Sequence, residues 1–321
     1  MVGQAAVGWF RERHPDVPAV VGGRDPRRAQ EAARATGAAG AVTIDLDRAG
    51  LGLDGDFSAV IATAPDHALH GLRFAQDRGI PYVSVSTWLA EAGAELALFA
   101  HRPTVPVVLA AHWWTGAAMF LALHGAQRFD TLHTIRIGAL FDDQDSSGPA
   151  AIEDMRRSEG SATAFAFENG RRGWLTGDAA RGRLRTIDGR VLDADAYGPL
   201  DIVSLYAATG AADIRFDLAV GASSSRRRGG PVTAEAVVEL EGEAEGERRT
   251  WRSTLEFPGG QASLTGLGLA LTLPAVLGLD GHTPVPPGIH LPELLIDPDL
   301  FLSRLTEAGA KIDETPVQAR L

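Results

Sequence analysis

The sequence predicts an α/β protein: a doubly wound parallel sheet first, then an α+β domain built on an antiparallel sheet. Three observations carry that reading. Near-continuous apolar runs recur at Val17–Val21, Ala41–Ile44, Phe57–Thr63, Tyr82–Val85 and Val105–Ala110. Helical patterns of about 10–15 residues separate them, the spacing that parallel strands and their crossovers need. Near Phe129 the pattern changes to alternation, with Leu132, Ile135, Ile137 and Leu140 apolar between polar neighbours. Alternation of that kind marks strands with one wet face.

In chain order, Gly3–Phe10 opens a helical pattern that stops at His14-Pro15-Asp16. The run Val17–Val21 ends in Gly22-Gly23-Arg24-Asp25-Pro26, and Arg27–Thr36 is a second helix. Helix, strand, Gly-Arg-Asp, helix is the middle of a dinucleotide-binding βαβ unit. The reading is therefore a Rossmann sheet whose first strand and first two glycines are missing. Met1-Val2-Gly3 would be the tail of G-x-G-x-x-G, through a misassigned start or a real loss. Phe57–Thr63 ends at Ala64-Pro65-Asp66, and a helix runs on through Gln76. Leu89–Phe99 and Ala117–Gly125 are further helices. Strands are expected at Thr131–Leu140, Ala162–Phe167, Arg183–Ile187, Ala212–Val220, Val232–Glu241 and Thr250–Phe257, with hairpin turns at Asp188-Gly189 and Glu243–Glu247. Pro199–Thr209, Ala262–Leu277 and Leu300–Ala308 read as helices. The expected division is 1–127 for a dinucleotide-binding domain, 128–257 for a substrate and dimerisation domain, and 258–321 for helices returning to the first.

At 321 residues the chain has room for two domains, and 45% hydrophobic residues supply real cores. A net charge of −11 excludes nucleic acid and anionic membrane as general partners. The absence of cysteine excludes thiolate metal sites and a Cys nucleophile. Lys311 is the only lysine, in a polar tail, so Schiff-base chemistry and Tyr–Lys pairs are excluded too. No signal peptide is recognisable, and the expected setting is cytoplasmic, with a small-molecule substrate and a homodimer.

Candidate site residues follow from position. Gly3 opens a helix whose free N–H groups favour an anion such as a diphosphate. Gly23 leaves room after the second strand, and Arg24 can pair with a 2′-phosphate, which favours NADP over NAD. Thr63, Ala64 and Pro65 let the chain pass close to a ribose and nicotinamide. Ser86, with Ser84 and Thr87, ends the next strand on the same edge. His112 follows the sixth strand beside Trp113; it could be the general acid, with Trp113 against substrate, or a structural His among tryptophans. Ser225, Arg226 and Arg227 form a hydroxyl–guanidinium group suited to a carboxylate, or else a solvated basic loop. His67 and His70 have metal spacing but no third ligand, so no metal is expected. Asp142-Asp143-Gln144-Asp145 reads as an acidic turn and helix cap.

On VVGGRDPRRAQEAA (Val20–Ala33) and VIATAPDHALHGLRFAQDRGIPYVSVS (Val60–Ser86), the first 125 residues resemble saccharopine dehydrogenase-like NAD(P)-binding oxidoreductases. The resemblance implies hydride transfer between a nicotinamide and an imine or carbonyl carbon of an amino-acid-like substrate. Ser84 stands where that family often has Asp. The alternative is a non-catalytic binding or scaffold subunit of a biosynthetic complex. A sugar or aldehyde oxidoreductase of similar plan usually uses an active-site lysine, which this chain does not offer.

Overall fold

The computed structural model describes residues 1–85, 89–146 and 164–317. It divides into two compact units: Met1–Ala111 with Thr265–Ile296, and His112–Leu264 with Asp297–Leu321. The chain thus returns to each unit once, where the sequence suggested a single return, of 258–321 to the first. The helix Ala117–Ala126, assigned above to the first domain, belongs to the second unit.

The first unit holds β1 (Val20–Gly23), β2 (Gly40–Thr43), β3 (Val60–Ala62), β4 (Tyr82–Ser84) and β5 (Pro106–Leu109), with a returning strand at Gly288–His290. All pairings are parallel, but they make two sheets. One is β1–β2; the other runs from the returning strand through β5 and β4 to β3. No described strand joins β1 to β3.

Strands β4 and β5 are wholly buried because both faces are covered. Val83 and Val108 pack with Ala6 and Phe10 of the opening helix (Val2–Arg13) and with Leu269, Leu273 and Val276. Tyr82 and Val107 point the other way, toward Leu72, Ala75 and Ala92. On the first face Gly266 lets two helices touch: a Cβ there would lie 2.5 Å from Ala5 Cβ and 2.7 Å from the Ala6 nitrogen.

The helix after β1, Pro26–Thr36, is capped by Asp25, whose carboxylate accepts from Arg27 N (2.9 Å) and Arg28 N (3.2 Å). After β3 the helix begins only at His70. Asp66 accepts from His70 N at 3.0 Å and Gly71 N at 2.6 Å, which holds residues 67–69 in a turn. His67 and His70 therefore do not share a helix face, and His70 Nδ1 is bonded to Leu46 O at 2.9 Å.

The second unit is built on one sheet. Its strands are β6 (Thr131–Asp142), β7 (Phe165–Glu168), β8 (Arg171–Trp174), β9 (Arg181–Arg185), β10 (Val191–Ala196), β11 (Asp213–Gly221), β12 (Thr233–Ala244) and β13 (Glu247–Pro258), plus a last strand, Lys311–Val317. The order is last–β13–β12–β6–β11–β10–β9, with β7 bridging β11 and β8. It is mixed rather than antiparallel, because β11 lies parallel to β6 over nine pairs. The chain between those strands makes hairpins and a helix, long enough for a crossover. Glu245-Gly246, at φ 55° and 77°, closes the β12–β13 hairpin.

One sheet face is apolar (Ile135, Ile137, Phe216, Val238, Leu240) and fully buried. Gly125 of the 117–126 helix lies against Leu240 and Trp251, and Phe120 stacks on Phe301 with centroids 4.0 Å apart. The opposite face carries cross-strand ion pairs, such as Arg252 with Glu239 at 2.6 Å. The helix Gly260–Leu277 has the length and mean hydropathy (1.3) of a membrane span, but Leu264, Leu269 and Val276 are buried as core residues.

Candidate functional site

Parallel strands end at one rim, and the opening helix starts there. A Cβ on Gly3 would lie 2.7 Å from Thr63 Oγ1, so only glycine admits this approach to the turn after β3. The helix start has no side-chain cap, leaving its first N–H groups free of one. After β1, a Cβ on Gly23 would meet Ala29 at 3.3 Å, a tight strand–helix fit. Arg24 is exposed and carries no ion pair among the described residues. Arg27 and Arg28 lie near Glu31 (4.0 Å) and Asp25 (3.7 Å) instead. Asp25 is committed to its own helix, which leaves Arg24 as the free charge of this turn. Ala64 and Pro65 follow Thr63 in the same turn. Ser86 lies outside the described residues. Ser84 is buried at the end of β4. Beside it, burial and the Glu95 and Asp66 charges push the Tyr82 hydroxyl well above its ordinary range.

The segment His112–Gly116 belongs to the second unit. His112 Nε2 lies 2.8 Å from Ser204 Oγ, and Asp201 Oδ2 accepts from Trp113 N at 2.7 Å. Burial lowers the His112 pKa from 6.5 to about 3. The imidazole is thus neutral near pH 7 and 5% exposed, with Ser204 as its neighbour. Trp114, Thr115 and Gly116 follow at φ 50°, 48° and 87°. Two non-glycine residues in succession at positive φ cost about 1–3 kcal/mol each. Asp201 and Ser204 help hold them there. Trp113 packs edge-on to Tyr197 (5.2 Å) and Phe216 (6.0 Å). The Trp113 and Trp114 indole N–H groups are buried with no acceptor among the described residues. Unused buried donors call for an explanation, and a bound acceptor is one. Sequence reasoning reached His112 and Trp113 but missed Asp201 and Ser204, which lie 88 and 92 positions on from their partners. No local spacing signals that pairing.

Ser225, Arg226 and Arg227 are placed differently from expectation. Ser223, Ser224 and Ser225 are buried, and Ser223 caps the single helical turn Ser224–Arg227. Arg226 pairs with Asp142 (3.2 Å) and Asp143 (2.6 Å). Arg227 is bidentate on Asp188 at 2.7 Å, and its hydrogen bonds hold that carboxyl well below the usual range. Glu235, fully buried, accepts from Ile187 N (2.7 Å), Ser224 N (2.9 Å) and Ser224 Oγ (2.9 Å). The receptor expectation is corrected: the acidic turn after β6 and the Asp188 hairpin already hold these guanidiniums. Asp145, read as a helix cap, accepts from Gln261 N at 2.7 Å, and burial raises its pKa.

No protein-family model matches this chain, and no curated protein matches it. Solved structures do. A putative myo-inositol dehydrogenase from Sinorhizobium meliloti 1021 covers 97% of this chain and 97% of its own, at 11% identity and TM-score 0.50. An oxidoreductase from Agrobacterium radiobacter, in complex with NAD+, L-tartaric acid and magnesium, is 12% identical (97% and 96% covered, TM-score 0.49). GenD2 from gentamicin A biosynthesis, in complex with NAD, is 15% identical (99% and 94% covered, TM-score 0.48). At these identities the likeness is one of fold: an α/β domain with a Rossmann-like parallel sheet, and a mixed-sheet domain. It covers both units, whereas the sequence resemblance stopped near residue 125. The narrower saccharopine dehydrogenase resemblance is not repeated in these names.

Proposed function

We propose that this chain is a nicotinamide-dependent oxidoreductase acting on a C=O or C=N carbon of a small substrate. The observation that carries the reading is the rim of the first unit. There the opening helix starts beside the turn after β3, against Gly3, and the turn after β1 offers one uncommitted cation, Arg24. The residues present fit a dinucleotide. The Val2 and Gly3 N–H groups would take the diphosphate, Arg24 a 2′-phosphate, and Thr63–Pro65 would pass beside the ribose. The nicotinamide supplies the hydride; the protein binds and orients. Arg24 favours NADP(H), with NAD(H) the alternative. In the second unit, Trp113 can donate its indole N–H to a substrate oxygen. A cytoplasmic homodimer, checked by light scattering of purified protein, completes the reading.

Fluorescence titration with NADPH and NADH tests it. The wild-type protein binds NADPH more tightly, and Arg24→Ala weakens NADPH about tenfold, or about 1.4 kcal/mol, while leaving NADH unchanged. Tighter NADH binding removes the NADP preference. Failure of both ligands to bind removes the redox reading and leaves the second one, a Rossmann-derived binding or scaffold subunit. The buried, neutral His112 favours that second reading.

A further inference from the structure

His124 stands in the last turn of the helix Ala117–Ala126, and two other elements of the second unit bring charges to its ring. Asp299, in the first turn of the helix Pro298–Glu307, lies 2.5 Å from Nδ1. Across the ring, Nε2 lies 3.2 Å from Arg128 Nη2 and 3.4 Å from Oε2 of Glu314, on the last strand. Arg128 Nη2 also donates to that Glu314 oxygen at 2.7 Å, and its guanidinium sits over the Trp251 ring, 4.5 Å from the centroid. The other Glu314 oxygen accepts from Ser253 Oγ at 3.2 Å. β13 thus faces this group with Ser253 and Trp251, neither of them charged. The His124 side chain is 23% exposed and that of Glu314 21%, so water reaches the ring while screening is incomplete.

The donor and acceptor rules of these groups define two arrangements. A carboxylate only accepts, so Asp299 keeps a ring proton on Nδ1. Nε2 is then the nitrogen that gains or loses a proton. Its two neighbours make opposite demands, because a guanidinium only donates and a carboxylate only accepts. Bare, Nε2 accepts from Arg128. Protonated, it donates to Glu314, and the positive ring repels Arg128. Arg128 retains its bond to Glu314 and its seat over Trp251, so it is not left unpaired. Asp299, His124, Glu314 and Arg128 then form a row of alternating charge across both helices and the last strand.

We propose that His124 is a proton-operated latch on the last strand: proton uptake at Nε2 exchanges Arg128 for Glu314 and draws Lys311–Val317 onto the helix Ala117–Ala126. The proton comes from water, one N–H bond forms, and no bond between heavy atoms breaks. The strand is the element able to respond. It ends the sheet, bonded on one side only, to β13, and Lys311, Asp313 and Thr315 are exposed. Asp299 is held more firmly. Its helix is capped by Asp297, which accepts from Asp299 N (2.9 Å) and Leu300 N (3.1 Å), and is pinned by the Phe120–Phe301 stack. The latch lies wholly within the second unit and works with or without a cofactor.

Amide hydrogen exchange of the whole chain tests this at about pH 5.5 and about pH 8, either side of the range in which histidine charges. Protection factors, corrected for the intrinsic pH dependence of exchange, are read for the last strand relative to β6, which is interior to the same sheet. The ratio is about three- to tenfold higher at the lower pH. His124→Gln, which keeps a neutral amide in place of the ring, makes the ratio equal at the two pH values. His133, 3.6 Å from Glu243 elsewhere in the sheet, is present in both proteins and so is controlled for. Glu314→Gln abolishes the pH dependence as well. Nitrogen-15 NMR of the wild-type ring gives a readout that needs no variant to fold: Nδ1 keeps its proton throughout, and Nε2 gains one in acid. A wild-type ratio equal at both pH values overturns the proposal. So does a pH dependence that survives in His124→Gln, or a neutral ring whose proton sits on Nε2.

Discussion

The two units treat their arginines differently. In the second, one sheet runs unbroken from β9 to the last strand, and its buried charges are matched: Arg226 to Asp142, Arg227 to Asp188, Glu235 to three donors. In the first, the sheet is divided, the opening helix starts without a side-chain cap, and Arg24 has no ion pair among the described residues. The contrast teaches where to look for ligands. An arginine whose charge is already satisfied within the fold has little left for a substrate, while an exposed, unpaired one at a strand end retains it.

Five changes would break or sharpen that contrast. The largest effect is on pH. His112 titrates at about 3 in the folded protein against 6.5 ordinarily. Below pH 6.5 the unfolded chain therefore takes up a proton that the folded chain refuses. This contribution is complete above pH 6.5 and is lost as pH falls toward 3, by roughly 3–5 kcal/mol in all. Denaturant unfolding across that range should show the slope, and His112→Asn should flatten it. Next, Glu235→Ala leaves three donors, two of them buried, without this acceptor. It should cost about 3 kcal/mol in urea unfolding. A loss under 1 kcal/mol would mean that the matched-charge picture of the second unit is wrong.

In the first unit, Gly266→Ala forces a methyl against the backbone of the opening helix. Overpacking outweighs the gain in helix propensity, for a net loss of about 1–2 kcal/mol by thermal unfolding. Gly93→Ala meets nothing within 4 Å and should instead gain about 0.5–1 kcal/mol. The smallest effect is Arg24→Ala, expected to change stability by less than about 0.5 kcal/mol because no partner is lost. A larger change would show that Arg24 is structural and would weaken its assignment to a ligand.

Much of the first unit was legible because its strands are buried on both faces. Tyr82–Val85 and Val105–Ala110 read as apolar runs and proved to be β4 and β5. β8 and the last strand were not legible. Arg171–Trp174 is exposed along its whole length, and Lys311–Val317 is a polar edge strand, so each owes its form to the strand beside it. At the candidate site, Gly3, Arg24 and the 112–116 segment could be singled out as candidates from position alone. The ion pairs of Arg226 and Arg227 and the Ser204 contact of His112 could not, since each depends on a partner far away in the chain.

The sequence by itself determined the order of apolar runs, glycine turns and caps, and with them a parallel α/β unit followed by a mainly antiparallel one. Those are local matters of burial and backbone freedom, written within a few residues of where they act. Only the tertiary structure decided which charges are satisfied and that β11 lies parallel to β6. Pairing across long stretches of chain is settled by which surfaces meet, and no local pattern encodes that.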